Sequence, residues 1–97
     1  MKHNFENGVL TIYLEGDVNS YNSEEVGFEI EDIIKKYNFN SLVLDLEKLN
    51  YISSAGIRIL IKIKKEHNDT KLVKVSKSVY EIFEMVGLHI ILKIEKL

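Results

Sequence analysis

The sequence predicts an α/β domain: strands alternating with helices around a mixed, mainly parallel sheet opened by one antiparallel hairpin. Three observations carry that expectation. Asn7-Gly8 is a two-residue hairpin signal, because both central positions of such a turn take positive φ. Val26, Ile30, Ile33, Ile34 and Tyr37 fall at helical spacing and make one apolar stripe. Ser41–Leu46 is nearly all apolar, the pattern of a central strand covered on both faces or flanked closely by helices.

Each element then follows in order. Strands are expected over His3–Glu6 and Val9–Glu15, the second with Leu10, Ile12 and Leu14 on one face. Gly16-Asp17-Val18-Asn19-Ser20 reads as a loop. Asn22 or Ser23 caps the first helix, with Glu31–Lys35 and Asp32–Lys36 as i,i+4 pairs on its wet face. Asn38-Phe39-Asn40 ends it. A second helix is expected from about Ser54 to Glu66, closed by His67-Asn68-Asp69, followed by a strand over Lys71–Val75. Ser76 or Ser78 caps a third helix, with Ser78 and Glu81 in capping-box spacing. Val79, Ile82, Phe83 and Val86 form its buried stripe, Gly87 stops it, and His89–Ile94 reads as a last strand. The order is β-β-α-β-α-β-α-β in a single domain over residues 1–97.

Composition narrows the function. The chain has 97 residues, 45% apolar and 29% charged, with a net charge of −2. That balance suits a soluble globular protein and carries no basic footprint for nucleic acid or membrane. There are no cysteines. Disulfides, thiol catalysis and cysteine-ligated zinc are thereby excluded. His3, His67 and His89 show no metal-ligand spacing, so neither a metal nor a cofactor is expected. No apolar run reaches the ~18 residues of a membrane span, and no signal peptide is read at Met1-Lys2-His3-Asn4. The expected setting is the cytoplasm, and the expected state a monomer. A catalytic Ser54–His67 pair fails on distance: 13 residues on one helix place them roughly 20 Å apart. There is no G-x-S-x-G elbow and no phosphate-cradling glycine loop, so no catalytic residue is assigned.

The chemistry concentrates in Ile52-Ser53-Ser54-Ala55-Gly56-Ile57-Arg58, where an apolar strand and a short loop lead into a helix. A hydroxyl at a helix N-terminus sits where free N–H groups and the helix dipole favour negative charge. By residue type alone, Ser53 and Ser54 read as plain caps ahead of modification sites. Asp45 serves either the loop N–H groups or the surroundings of a phosphate. Phe28, off the first helix's stripe, is either a peripheral core residue or an exposed anchor. Ala55 and Ile57 are candidates for apolar contact with a partner. Arg58, Lys62 and Lys65 make either a solvated face or a stripe for an acidic partner, and Arg58 falls one turn after Ser54.

These residues resemble the STAS domain of bacterial anti-sigma-factor antagonists. Asp45 stands where the family ends its buried strand, and Ile52–Arg58 stands in the family's Asp-Ser-Ser/Thr-Gly-Leu motif. Gly16-Asp17-Val18-Asn19 matches Gly-x-Leu-Asp, and Met85-Val86-Gly87-Leu88 is similar to Leu-Thr-Gly-Leu. The resemblance implies a STAS fold and a switch that is not an enzyme. In that family a serine/threonine kinase, itself the anti-sigma factor, phosphorylates the serine after the motif aspartate, and a PP2C-type phosphatase resets it. The unmodified antagonist binds the anti-sigma factor and frees the sigma factor. Lining up the motif places Ser54 on the phosphorylated serine, Ser53 on the aspartate, Ala55 on the following Ser/Thr and Gly56 on the glycine. Asn19, Asp45, Ser53, Ala55 and Gly56 then surround the phosphosite, and Phe28, Ile57 and Arg58 face the partner. Ser53 and Asn19 replace acidic residues of the family pattern, which lowers the negative charge around a phosphate. The same resemblance allows a second role, an unphosphorylated scaffold or subunit beside an ABC lipid-transport ATPase.

Overall fold

The structure, a computed structural model, describes residues Met1–Leu97. Its elements are β1 (His3–Glu6), β2 (Val9–Val18), α1 (Ser23–Ile34), β3 (Ser41–Ile52), α2 (Ser54–Glu66), β4 (Thr70–Val75), α3 (Lys77–Met85), α4 (Leu88–Ile91) and β5 (Lys93–Lys96). They form one five-stranded sheet in sequence order, β1-β2-β3-β4-β5. The β1–β2 pair is antiparallel through the Asn7-Gly8 turn, where both residues take positive φ. The other three pairs are parallel. This is the expected α/β class with the expected mixed sheet.

Every parallel crossover steps the same way along the sheet. Right-handed connections then place all the crossover helices on one face. Burial agrees. Leu10, Ile12, Leu14, Leu42, Leu44, Leu46 and Leu72 alternate onto the helix face and are buried. Val9, Thr11, Tyr13, Val43, Lys71 and Val73 point the other way and are only half-buried. Ser41–Leu46 is therefore covered by helices on one face, not on both. The bare face is managed with long polar side chains. Lys71 pairs with Glu95 at 3.2 Å, and Lys74 lies 3.8 Å from Asp45 and 3.7 Å from Glu47. The Lys2 ammonium sits 5.5 Å from the Tyr13 ring centroid. Such stems cover apolar surface while their charged heads stay wet.

Several boundaries differ from the sequence expectation. The predicted Gly16–Ser20 loop is strand as far as Val18. Gly16 and Asp17 sit in register shifts of the β2–β3 ladder, so their turn-like chemistry marks bulged pairing rather than a chain reversal. β3 does not end at Asp45 or Leu46 but continues to Ile52, because Leu49 and Ile52 still point into the core. Beyond Asp45 it pairs with β2 alone, which explains its polar second half.

α1 ends at Ile34, so Lys35 and Lys36 lie past the helix and neither predicted i,i+4 pair closes. Tyr37 lies beyond the helix too and packs edge-on to His3 and tilted against Phe5 of β1. Ser76, not Ser78, caps α3: its Oγ accepts the Val79 N–H at 3.3 Å, and no Ser78–Glu81 box forms. Val86 is 55% exposed, outside the buried stripe, because α3 stops at Met85. The predicted strand over His89–Ile94 is instead one helical turn, α4, followed by β5. Leu88 and Leu92, four apart, are both buried, and they hold that turn against the core.

Gly87 reverses the chain between α3 and α4 with φ 74°, and a Cβ there meets nothing within 4 Å. Its requirement is purely conformational. Gly87→Ala is expected to destabilise the domain by about 1 kcal/mol, or roughly 4–8 °C in Tm for a chain this size, read by thermal unfolding.

Candidate phosphorylation site at the start of the second helix

The candidate site is built where β2 and β3 end together. The Ser53 N–H donates to the Val18 carbonyl at 2.8 Å, tying the entry of α2 to the last residue of β2. Ser53 itself is extended (φ −83°, ψ 170°) and is the N-cap; its Oγ accepts the Gly56 N–H at 3.2 Å. The Ile57 N–H donates to the Ser53 carbonyl, which closes the first turn. The N–H groups of Ser54 and Ala55 are left without a protein acceptor, as expected at a helix start. Ser54 is the first helical residue and is exposed, and its hydroxyl makes no hydrogen bond. So the two serines divide the work: one is committed to the cap, and the other is free.

Gly56 explains how the helix comes so close to the strands. A Cβ at that position meets Ile52 Cγ1 at 2.7 Å and Val18 Cγ1 at 2.8 Å. Both are buried core atoms with little room to move. Only a residue without a side chain lets the first turn of α2 rest on the ends of both strands.

The neighbouring loop is ordered by its own side chains. Asn19 Oδ1 accepts the backbone N–H groups of Tyr21 (2.9 Å) and Asn22 (3.0 Å). Asn22 Oδ1 accepts the Asn19 N–H at 2.8 Å, and its Nδ2 donates to the Asp17 carbonyl at 2.9 Å. Asn22 stands at the cap position of α1 without capping it, because its side chain is engaged backwards in this loop. The Val18–Ser53 hydrogen bond places this loop beside the start of α2. The first turn of α2 carries no acidic residue, and Arg58 lies exposed one turn along from Ser54. Backbone donors, helix dipole and a guanidinium on the same helix all favour added negative charge near Ser54.

Two sequence expectations are corrected. Asp45 does not neighbour the site. It lies mid-strand on β3, eight residues before Ser53, on the order of 25 Å away at the rise of an extended chain. Its Oδ1 accepts the Glu47 N–H at 3.0 Å and its Oδ2 faces Lys74, a structural role. Ile57 does not face a partner either: it is 4% exposed and belongs to the core. Helical phase turns Ile59 outward in its place, half-buried beside α1. Phe28 is 64% exposed, so it is not a peripheral core residue. Tyr21, 97% exposed in the Asn19–Asn22 loop, adds an aromatic side chain outside the sequence expectation. Its signal was a large ring amid small polar loop residues.

The cap and the close approach have separable signatures. Ser53→Ala is expected to cost about 1 kcal/mol, the usual value of a cap. Gly56→Ala is expected to cost about 1–3 kcal/mol through overpacking. Denaturant unfolding of the two variants beside Ser54→Ala, expected to stay within about 0.5 kcal/mol of wild type, checks the division.

Comparison with known proteins shows the family and the fold. The STAS domain model matches residues 2–96. A Bordetella bronchiseptica protein assigned as the anti-sigma factor antagonist BtrV is 36% identical over 84 residues, which span 82% of this chain and 72% of that protein. The crystal structure of a Thermotoga maritima protein assigned as an anti-sigma factor antagonist superposes with a TM-score of 0.84 at 20% identity, covering 99% of this chain and 86% of that one. SpoIIAA, an anti-sigma factor antagonist solved in its unphosphorylated form, superposes with a TM-score of 0.75 at 18% identity, covering 96% and 85%. Its phosphorylated form, from Bacillus, gives 0.67 at 17% identity, covering 96% and 88%. With its motif seated at the junction of β2, β3 and α2, and the family pattern running through nearly every residue, the chain belongs to the STAS domain family.

Proposed function

We propose that this chain is an anti-sigma factor antagonist whose binding to an anti-sigma serine kinase is switched off by phosphorylation of Ser54. The observation that carries the reading is the free, exposed hydroxyl of Ser54 on the first residue of α2, beside a serine that already supplies the cap. The relatives' names support the class of partner. The chain acts by binding and catalyses no reaction. It works as a monomer in the cytoplasm, and a PP2C-type phosphatase restores the unmodified state.

The switch follows from where charge is tolerated. Phosphorylation adds about −1.5 to −2 charges. The start of α2 stabilises such a charge by roughly 0.3–2 kcal/mol, so the fold survives modification. A partner packed over Ser54 has to desolvate a dianion, which is costly. A loss of about 2.7 kcal/mol already weakens a complex a hundredfold, without any large change of shape. Asn19 and Ser53 fit this reading. Each accepts a backbone N–H through a neutral oxygen, so the loop and the cap are held without placing a carboxylate next to the phosphate.

Incubation with ATP and the host's anti-sigma serine kinase, followed by intact mass spectrometry, tests the proposal. One added phosphate is expected, absent in Ser54→Ala and retained in Ser53→Ala. The phosphoprotein is expected to bind the kinase about a hundredfold more weakly than the unmodified chain. Phosphate found on another residue, or equal affinity of the two forms, refutes the switch.

A further inference from the structure

A shallow groove runs between α1 and α2 and begins beside the candidate phosphosite. Its upper half, about 290 Å³, is bordered by Ala55 and Arg58. Its lower half, about 320 Å³, is bordered by Gly27, Phe28 and Glu31. Glu24, Ile59 and Lys62 line both halves, so the two are one continuous furrow. Gly27 forms part of the floor; a Cβ there meets Ile59 Cδ1 at 3.2 Å, so the helices touch at this point. Phe28 stands above that floor, largely in solvent.

The walls are charged with opposite signs along most of their length. Glu24 and Glu31, seven residues apart, line the α1 side, with Lys35 at the end of that helix closing the row; Arg58 and Lys62, four apart, line the α2 side. No ion pair within 4.0 Å joins the two rows across the groove. An exposed apolar strip thus lies between an acidic and a basic row, neither of which is neutralised by the other.

On the reading that an anti-sigma kinase binds over Ser54, we infer that this groove seats an amphipathic helix of that kinase. Furrows between packed helices accept a third helix by ridge-into-groove contact, and no free strand edge lies here to pair with an extended peptide. The helix inserts an apolar side chain between Phe28 and Ile59. It turns basic residues toward Glu24 and Glu31 and acidic ones toward Arg58 and Lys62. The opposed rows fix which flank faces which wall, so they select the partner and its orientation together. Phosphorylation at Ser54 then blocks one end of a longer interface whose other end is set by α1.

The test is a titration of the isotope-labelled full chain with the host's anti-sigma serine kinase. Amide shifts are expected at Gly27, Phe28, Ile59 and Lys62 together with those at Ser54. Phe28→Ala and Lys62→Glu are each expected to weaken binding by about tenfold or more with unchanged thermal unfolding. If phosphorylation of Ser54 abolishes binding while both variants bind like wild type and the groove amides stay fixed, the groove assignment fails and the switch stands. If the unmodified chain does not bind the kinase, both fail. Groove amides that shift with the concentration of the chain alone identify a second copy as the occupant and overturn the assignment.

Discussion

The structure turns on one close approach: Gly56 of α2 resting on Val18 at the end of β2 and Ile52 at the end of β3. That contact fixes the height at which α2 starts, and the Ser53–Val18 hydrogen bond fixes its direction. Ser53 then has to cap, because its Oγ falls over the Gly56 N–H. With the cap occupied, the next residue is set on the first turn, pointing away from the core. The exposure of Ser54 is thus a consequence of packing beneath it, not an independent feature. The same contact brings the Asn19–Asn22 loop alongside, since that loop continues directly from Val18.

Much of this was legible in the chain because local chemistry and burial agree there. Asn7-Gly8 gave the hairpin, the α2 boundaries followed from Ser54 to Glu66, and Ser53 and Ser76 were offered as caps and are caps. The errors share a physical cause. Gly16-Asp17 carries turn-forming residues, yet partner strands absorb them as bulges, and pairing is invisible to a local reading. Leu88-His89-Ile90-Ile91-Leu92 has strand-like composition, yet Gly87 and the burial of Leu88 and Leu92 wind it into a turn. Ile57 is buried rather than exposed because its phase relative to Ser54 depends on which face of α2 meets the sheet. The inward position of Leu60 and Ile63 on the same helix sets that face. Asp45 lies away from the site for the simplest reason: the strand carrying it is six residues longer than its apolar run.

The sheet topology bears on the kind of ligand. Open α/β sheets bind small molecules in the crevice outside the strands' carboxyl ends, where the strand order reverses and helices leave on opposite faces. Here the order runs β1 to β5 without reversal, so the crossover helices lie on one face and no such crevice opens. What lies at the carboxyl ends of β2 and β3 is instead a rim: the Asn19–Asn22 loop with Tyr21, the first turn of α2 with Ser54, and the mouth of the α1–α2 groove. A rim with an exposed aromatic side chain and a free hydroxyl suits a protein surface better than a small ligand. The start of α2 offers backbone donors on a helix packed against two strand ends, so the proposed switch requires no moving part: an added charge at Ser54 changes what can be buried against the rim, and the domain beneath it stays as folded.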